Sequence, residues 1–452
     1  MNSFAYIVLI AFAPMASLLF VYCSVQHAVL ASVVGGFLFL PILEIPLPGL
    51  PDYSKFTAIS LALILGPLVS GRRLPRIQQL RWWDIAYCLW LIAMPVSYLA
   101  NGYPLYNALS AIFKTVIFWG VPYWAGRCCF QSPASVRLLL QAIVIGGLIN
   151  VPLALWEIRM SPQLHTTLYG AFQHSFGQMM RNGGFRPIVF TDHALVLALW
   201  FGVTLTAAIA LRQAKKLAPE WIQRAWWLLP CFIIMVPLCK SLGAICLSFA
   251  AAMTMAFRPF RLATTALLIA AFTYVGARIL FDGLTYQVVQ QVLEYLPPDR
   301  AHSFTFRMDN ESLLLAHAWN QPFLGWVNEG FRGVLENGTL VSDDSRKIVS
   351  DSLWIIAFGT SGLLGLVSLY SVLFASATRF LWDASVRNLA ESKVLGTIVA
   401  ILLLDTVANG WFGPVATLCT GAALSVHIAQ KTGSQPTSSP QHLTVRPLRP
   451  RA

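Results

Sequence analysis

Long apolar segments alternate with short polar connections along almost the whole chain. A hydrocarbon core is about 30 Å thick, and because its interior offers no hydrogen-bond partners, a helix of about 17 to 25 apolar residues is the usual way across. Segments of this kind, some of them short, cover residues 4–22, 28–43, 56–69, 85–99, 105–125, 136–156, 187–211, 226–238, 241–257, 262–281, 352–374, 394–408 and 412–428. They predict an all-α fold, a polytopic membrane helix bundle of about 12 to 13 transmembrane helices. Residues 237–243 are either a break within one helix or the turn of a hairpin.

A polar stretch, residues 282–350, interrupts the apolar pattern. It holds several cationic side chains, among them Arg300, His302, Arg307 and Arg332. Within it, Arg307, Glu311 and Leu314 follow helical spacing, which predicts an amphipathic helix at the membrane surface. We therefore expect a large extracytoplasmic loop domain that contains short amphipathic helices.

Composition excludes a soluble protein. Of the 452 residues, 57% are hydrophobic and only 11% are charged, and the mean hydropathy is +0.64. Such values are typical of polytopic membrane proteins. The histidines and cysteines lack the spacing of metal ligands, so we expect neither a metal nor another cofactor.

The net charge of +12 would suggest a nucleic-acid partner for a soluble protein, but here it indicates membrane topology, because cytoplasmic loops retain Lys and Arg. The basic connections are expected inside and lie at 71–81, 127–137, 212–224, 258–261 and 379–393. Connections nearly free of cations are expected outside, together with the N-terminus, and lie at 44–53, 101–104 and 409–412. We expect no nucleic acid as a partner.

The chain then divides into N-terminal transmembrane helices (1–158), a first external loop (159–187), central transmembrane helices (188–281), the large external loop (282–350), C-terminal transmembrane helices (351–430) and a disordered cytoplasmic tail (431–452). Both external loops carry arginines, which the rule for cytoplasmic loops does not explain. A site for an anionic, lipid-borne substrate is the first function to expect there.

The first external loop ends in Arg181-Asn-Gly-Gly-Phe-Arg186-Pro187-Ile-Val-Phe-Thr-Asp192-His193. Proline suits the first position of a helix, so Pro187 predicts a helix start, with Asp192 and His193 one turn inside. Arg186 would then flank a helix N-terminus, where free N–H groups and a guanidinium can hold a phosphate or pyrophosphate. The alternative is that Arg186 sets topology or binds lipid headgroups.

At the second external loop the chain resembles the bacterial superfamily of O-antigen ligases and O-antigen or exopolysaccharide polymerases. The matching motifs are Arg307, Trp319, Pro322-Phe-Leu-Gly325, Asp351-Ser352 opening an apolar helix, and Gly362-Leu-Leu-Gly365 at the end of that helix. Arg186-Pro187 is similar to an upstream arginine of the family. The resemblance covers residues 181–365, and the rest of the chain matches only in hydropathy.

This resemblance implies a metal-independent glycosyltransferase that takes a glycan from a polyprenyl pyrophosphate carrier and joins it to an acceptor hydroxyl on the external face. It implies that Arg186 and Arg307 hold the departing pyrophosphate, and that Asp351 acts as the base. Two fixed guanidinium groups can replace a divalent ion in stabilising the charge of the leaving group. Further candidates for contact with pyrophosphate or glycan are Arg181, Asp192, His193, Arg300, His302, Trp319 and Arg332.

The chain departs from the family pattern at Asp351, where ligases have His, and at Ser352, where Asn is common. A carboxylate can still accept a hydroxyl proton, and the Asp form is closer to polymerases. Other roles stay open for three of these residues. Asp351 is alternatively a plain helix N-cap, His193 a hydrogen-bonded core histidine, and Arg307 the partner of Glu311 in an ordinary i, i+4 ion pair.

Lys114 stands deep within the segment 105–125, so we expect it to face the bundle interior and to pair with Glu157 or Asp405.

We therefore expect a multi-pass polymerase of the bacterial inner membrane, with its site facing the periplasm or exterior, that makes exopolysaccharide or O-antigen. Its partners would be the polyprenyl-pyrophosphate-linked glycan, the lipid bilayer, and a chain-length regulator or another polysaccharide assembly protein. Two alternatives stay open. One is a ligase that transfers glycan to a lipid or protein acceptor, and the other is a flippase or transporter of lipid-linked oligosaccharide.

Overall fold

A computed structural model describes residues 1–77, 79–181, 183–214, 219–256, 260–295, 298–331, 334–336, 339–341, 352–410 and 412–427 of the chain. Among the candidate site residues, Arg332 and Asp351 lie outside these ranges, as does the side chain of Arg300. The tail 431–452, expected to be disordered, also lies outside them.

Helices account for most of the described residues. They are α1 (Ser3–Tyr22), α2 (Val25–Leu30), α3 (Gly36–Phe39), α4 (Lys55–Ser70), α5 (Trp82–Ala100), α6 (Leu105–Thr115), α7 (Val121–Cys129), α8 (Pro133–Met160), α9 (Leu164–Tyr169), α10 (Ala194–Gln213), α11 (Glu220–Arg224), α12 (Leu228–Leu238), α13 (Leu242–Ala256), α14 (Phe260–Leu280), α15 (Asp282–Leu293), α16 (Pro298–Ala318), α17 (Val327–Phe331), α18 (Leu353–Trp382), α19 (Ala390–Asp405) and α20 (Pro414–Ser425). Two π-helical turns, Ala31–Gly35 and Val116–Gly120, join α2 to α3 and α6 to α7.

The described strands form three small antiparallel hairpins. These are β1 (Glu44–Leu47) with β2 (Leu50–Ser54), β3 (Met180–Arg181) with β4 (Gly184–Phe185), and β5 (Val334–Glu336) with β6 (Thr339–Val341).

Seven helices of the described chain are long and apolar enough to cross a membrane: α1, α5, the continuous rod of α6 and α7, α8, α10, α14 and α18. The shorter apolar helices are α2 with α3, α4, α12, α13 and α20. Every apolar segment found in the sequence contains a helix or helices in direct succession, although the segment 187–211 becomes helical only at Ala194. The prediction of a helical membrane bundle is therefore confirmed, and the number of crossings stays a prediction.

Helices α10 and α18 form the centre of the bundle. In its most apolar window, α10 is 83% buried and α18 is 72% buried, against 33% for α1 and 22% for α14. Helix α10 packs against α8, α12, α13 and α19, while α18 packs against α5, α16, α19 and α20. A helix that is apolar on all sides is expected in such a central position, whereas α1 and α14 leave apolar side chains for lipid.

The polar connections meet in two groups at opposite ends of the bundle. We call the first group the arginine rim. Its connections are joined by hydrogen bonds, which run from Asn2 to the Leu168 carbonyl, from the Ile42 N–H to His165 and from Asn101 to the Gly325 carbonyl. The other is joined by bonds from Arg72 to the Val21 carbonyl, from Gln131 to the Arg76 carbonyl and from Arg127 to the Gln79 carbonyl. Connections alternate between these rims along the chain, as the charge pattern predicts. That the arginine rim faces outside stays a prediction.

The turn between α12 and α13 belongs to the arginine rim. The Nε of Arg186 donates to the Cys239 carbonyl at 3.4 Å, and the Nζ of Lys240 donates to the Arg181 carbonyl at 2.8 Å. The two helices also pack against each other. Residues 237–243 are therefore the turn of a hairpin and not a break within one helix.

Helix α18 is kinked at Gly362, whose φ of 63° and ψ of −163° are not helical. The kink frees the N–H groups of Leu363 and Leu364, which donate to the carbonyls of Pro322 at 2.7 Å and Phe323 at 3.2 Å. The turn 322–325 thus packs against the middle of α18. Because that turn satisfies the freed amides, the helix resumes and runs to Trp382, past the end of the predicted segment 352–374. The motif Gly362–Gly365 therefore lies at the kink and not at the end of the helix, where the resemblance places it.

Candidate active site

The first external loop does not enter its transmembrane helix at Pro187. Helix α10 begins at Ala194, and His193 is its N-cap, with Nδ1 accepting the N–H of the second helical residue at 2.9 Å. The predictions that Pro187 opens the helix, that Arg186 flanks its N-terminus, and that Asp192 and His193 lie one turn inside are therefore wrong.

A buried carboxylate holds this segment out of a helix. Glu157, near the end of α8 and 0% exposed, accepts the N–H groups of Ile188 and Val189 at 2.7 Å each. Val189 also has a φ of 52°, a left-handed conformation that is unfavourable for a β-branched residue. These contacts fix the irregular backbone that leads from Arg186 to α10.

Arg186 is buried, with 3% of its surface exposed. Its backbone N–H donates to the Met179 carbonyl at 2.8 Å, and its guanidinium donates to the carbonyls of Gln178 and Cys239 at 3.4 Å each. The side chain thus lies between the first external loop and the turn that joins α12 to α13. Its charge is held in position by the fold.

The charges of Arg181, Arg186 and Arg307 all act on His193, and we call these three arginines the arginine cluster. Burial, together with the positive charges of His174, Arg186, Arg307 and Arg181, lowers the pKa of His193 to about 3. The rings of His174 and His193 meet edge to face, with centroids 4.5 Å apart. Three guanidinium groups thus act on one neutral imidazole, and such a concentration of positive charge favours a multiply charged anion.

Arg307 projects from α16, the helix that its spacing predicts. Its Nη1 donates to the Ala408 carbonyl, in the connection after α19, at 3.4 Å. Its charge also acts on the carboxylates of Asp405 and Glu311. Arg307 thus links the arginine cluster to the end of α19.

Asp351 lies outside the described residues, but the residue after it is described. Ser352 occupies the N-cap position of α18, and both roles predicted for Asp351, base and N-cap, lie outside the described residues. The Oγ of Ser352 donates to the Oε1 of buried Glu311 on α16. The start of α18 is therefore tied to the helix that carries Arg307.

Glu311 has a further partner that the sequence reasoning missed. Arg278, near the end of α14 and 0% exposed, places Nη2 3.5 Å from Glu311 Oε2 and pairs through Nη1 with Asp282. Burial raises the pKa of Glu311, while the Ser352 hydrogen bond and the charges of Arg278 and Arg307 oppose that rise. Arg307 is thus one of several groups around Glu311, and a simple i, i+4 pair does not account for this carboxylate.

Asp192 neutralises a buried lysine. The Nζ of Lys55, at the start of α4, lies 2.9 and 3.0 Å from the two carboxylate oxygens of Asp192, and the lysine side chain is 2% exposed. The ammonium also lies over the rings of Phe37 and Phe56, at 5.7 and 5.4 Å from their centroids. Asp192 therefore stabilises the structure beside His193. The signal for this pair was a lysine at the start of the apolar segment 56–69.

An apolar cavity of about 200 Å³ adjoins the arginine cluster. Its two carboxylates are Asp192, which precedes His193, and Asp405, which interacts with Arg307. The remaining lining is largely aromatic and aliphatic and includes Phe37, Phe56, Phe118, Val196, Leu199 and Trp200. The cavity is thus connected to the arginine cluster through Asp192, the neighbour of His193 in the chain, and through Asp405, on which the charge of Arg307 acts.

Two other candidates have contacts of a different kind. The Nε1 of Trp319 donates to the Ile279 carbonyl at 3.2 Å, and its ring meets Phe358 edge to face. Trp319 therefore ties the end of α16 to α14 and α18, a packing role. His302 is exposed on α16, and no contact with the arginine cluster is seen in the described part of the chain.

Lys114 does not pair with Glu157 or Asp405. Glu157 accepts backbone N–H groups, and the Oδ1 of Asp405 accepts from Asn409 at 2.8 Å. Lys114 is instead exposed and lines a cleft behind the β1–β2 hairpin. The expectation was wrong because this face of α6 does not face the bundle interior.

The positive charge at this site comes from side chains. Among the described residues, no group of three or more His, Cys, Asp and Glu side chains could hold a metal ion. No protein-family model matches the chain, and a search of curated proteins found none that matches it.

Proposed function

We propose that the protein is a membrane glycosyltransferase that polymerises polyprenyl-pyrophosphate-linked oligosaccharide repeat units into exopolysaccharide or O-antigen on the external face of the inner membrane. The observation that carries this proposal is that the positive charges of Arg181, Arg186 and Arg307 all act on a neutral His193. A pyrophosphate headgroup needs several fixed donors and cations, and guanidinium groups bind phosphate oxygens in pairs.

The neighbouring apolar cavity supports a lipid-borne substrate over a soluble one. A polyprenyl pyrophosphate combines a multiply charged headgroup with a long apolar tail. The cavity lined by Phe37, Phe56 and Leu199 offers an apolar surface next to the arginines. A soluble sugar nucleotide has no apolar tail that could bind such a surface.

The proposed reaction is a displacement at the anomeric carbon of the donor sugar. An acceptor hydroxyl attacks this carbon and forms the new glycosidic bond, while its proton passes to the carboxylate of Asp351. The bond from the carbon to the pyrophosphate oxygen breaks, and its electron pair leaves with the polyprenyl pyrophosphate. Arg186 and Arg307 stabilise the charge that gathers on this leaving group. Asp351 then releases the proton to solvent.

The contact between Ser352 and Glu311 supports a joint role for Asp351 and Arg307. Asp351 directly precedes Ser352, and Glu311 lies one helical turn after Arg307 on α16. A proposed base and a proposed phosphate ligand thus belong to two elements that are tied together. Such coupling favours simultaneous contact with one substrate.

The test uses the full chain purified in detergent and lipid-linked oligosaccharides extracted from a strain that lacks the protein. Because micelles have no second leaflet, a flippase makes no product there, whereas a polymerase makes a ladder spaced by repeat units. Transfer of a single unit to a lipid or protein acceptor would instead indicate a ligase.

The matched variants are Arg186→Ala and Arg307→Ala, with Arg224→Ala as the control because Arg224 is 81% exposed in a surface ion pair. Removal of a transition-state cation is expected to slow polymer formation by roughly 10²-fold or more. The control should keep the normal rate. Normal polymerisation by folded Arg307→Ala would show that the assignment is wrong.

A further inference from the structure

Two adjoining cavities behind the β1–β2 hairpin form one cleft, which we call the Lys114 cleft. The smaller chamber measures about 420 Å³ and the larger about 580 Å³. Residues that line both chambers are Pro51, Asp52, Met94, Lys114 and Thr115. The cleft is therefore distinct from the apolar cavity beside the arginines, and together its chambers could hold several sugar rings.

A π-helical turn builds one wall of the Lys114 cleft. Phe113 and Lys114 come from the end of α6, and Phe118 and Trp119 come from the turn Val116–Gly120; all four line the larger chamber. A π turn holds more residues than an α turn, so it presents side chains on this face that a regular helix would direct elsewhere. Such turns are frequent at functional sites.

The lining of the cleft suits a carbohydrate. Phe113 and Tyr106 are 38% and 54% exposed and offer flat rings to the C–H faces of sugars. Asp52, Asn107 and Lys114 supply donors and acceptors for hydroxyl groups. Among the described residues the ammonium of Lys114 has no ion-pair or hydrogen-bond partner. A mixture of aromatic surface and a few polar groups is typical of binding sites for small polar ligands.

The cleft reaches the start of α18. Leu353, Ile356 and Thr360, from the first turns of that helix, line its larger chamber, and Asp351 stands two residues before Leu353. Phe56 and Phe118, whose ring centroids are 4.6 Å apart, line both this chamber and the apolar cavity. The cleft and the apolar cavity therefore share an aromatic border, at which an acceptor and a donor could meet.

We propose that the Lys114 cleft binds the acceptor glycan, with sugar rings on Phe113 and Tyr106 and hydroxyl groups on Lys114. The acceptor role rests on the proposed glycosyltransferase activity, but glycan binding in the cleft does not. A chain that lies in the cleft presents its end at the first turns of α18, the helix that follows the proposed base Asp351 in the sequence. The lipid-linked donor occupies the arginine cluster and the apolar cavity.

Binding is measured with the full chain in detergent and with short oligosaccharides released from the host surface polysaccharide by partial acid hydrolysis. Lys114→Ala and Phe113→Ala should each weaken binding about tenfold, the scale expected when a ligand loses a charge-assisted hydrogen bond or a stacked ring. Leu109→Ala is the control, because Leu109 is 55% exposed on the same helix and does not line the cleft. Unchanged affinity in both cleft variants, or no binding by the unmodified protein, would overturn the inference.

Arg307→Ala separates this inference from the proposed function. It should bind the oligosaccharides normally and make no polymer, whereas Lys114→Ala should raise the KM for the acceptor. If the unmodified protein binds glycan through Lys114 but makes no polymer, the proposed function is wrong and the binding site stands. If polymer forms and Lys114→Ala changes neither affinity nor KM, the cleft assignment is wrong and the proposed function stands.

Discussion

Gly325 lies against Gly362 so closely that a Cβ atom added to Gly325 would come within 2.6 Å of the Gly362 amide nitrogen. Both glycines have a positive φ, 72° and 63°, which side chains rarely adopt. Neither the turn at 322–325 nor the kink in α18 could form in this way with a larger residue at these positions. The close approach sets the position of α16 relative to the start of α18.

Gly325→Ala and Gly362→Ala should each destabilise the protein. The left-handed backbone alone costs a non-glycine residue about 1–3 kcal/mol, and overlap with backbone atoms adds to this cost. The measurement is the thermal unfolding midpoint in detergent. Gly243→Ala is the control, since a Cβ at Gly243 meets nothing within 4 Å and alanine is a better helix former. A midpoint that falls as far in the control would contradict this account.

Removing one partner of the Lys55–Asp192 pair should be costly. Replacement of Lys55 by Met leaves the carboxylate without its ammonium, and loss of one partner of a buried pair costs roughly 3–5 kcal/mol. The double variant Lys55→Met/Asp192→Asn should recover part of that loss because no buried charge is then left unpaired. A double-mutant cycle on the free energy of unfolding checks this coupling. If the effects of the two single substitutions simply add up to that of the double variant, the interaction between Lys55 and Asp192 does not stabilise the fold.

Acid should weaken the fold through His193. Folding holds the pKa of His193 at about 3, whereas an unfolded histidine titrates near about 6.5. Between these two pH values only the unfolded chain takes up the proton, which favours unfolding. The free energy of unfolding is therefore unaffected by His193 above about pH 6.5, and below it falls by up to about 1.4 kcal/mol per pH unit. His193→Gln should therefore lose less stability than the unmodified protein between pH 7 and pH 5.

The measurement for His193 is the unfolding midpoint in detergent at a series of pH values. His302→Gln serves as the control, because His302 is exposed on α16 and its replacement should leave the pH profile unchanged. If His193→Gln and the unmodified protein lose stability in parallel, the acid sensitivity lies elsewhere.

Glu311 should contribute both through its charge and through the hydrogen bond that it accepts from Ser352. Glu311→Ala leaves buried Arg278 with Asp282 alone and removes the acceptor of Ser352, so we expect a loss of roughly 3–5 kcal/mol. Glu311→Gln keeps an acceptor for Ser352 and should lose less. Unfolding in detergent measures both, with exposed Glu294 replaced by Ala as the control, expected within about 0.5 kcal/mol of the unmodified protein. Equal loss for Ala and Gln would mean that only the charge matters.

The helical bundle could be predicted because a helix that crosses a bilayer needs apolar side chains, and these are visible in the sequence. Each crossing needs a long apolar stretch, and each such stretch contains a helix. For these helices the local chemistry of the chain and its environment determine the outcome. The joint role of Arg186 and Arg307 stays a prediction, although the charges of both act on His193.

The parts that could not be predicted depend on partners far away in the chain. Pro187 suits a helix start, but Glu157 binds the following amides and delays the helix to Ala194. Lys114 was assigned to the interior because a regular helix through residues 105–125 places it deep in the membrane, whereas a π turn and a hairpin open a cleft around it. The local sequence does not show which carboxylate or cavity another element of the fold will bring to it.

A neutral imidazole at the centre of the arginine cluster makes the charge of the cluster insensitive to acidity. His193 gains a proton only near pH 3, and guanidinium groups keep their charge in proteins. Between about pH 3 and neutrality these side chains therefore keep a constant charge, and any pH dependence of anion binding there comes from the anion or from other groups.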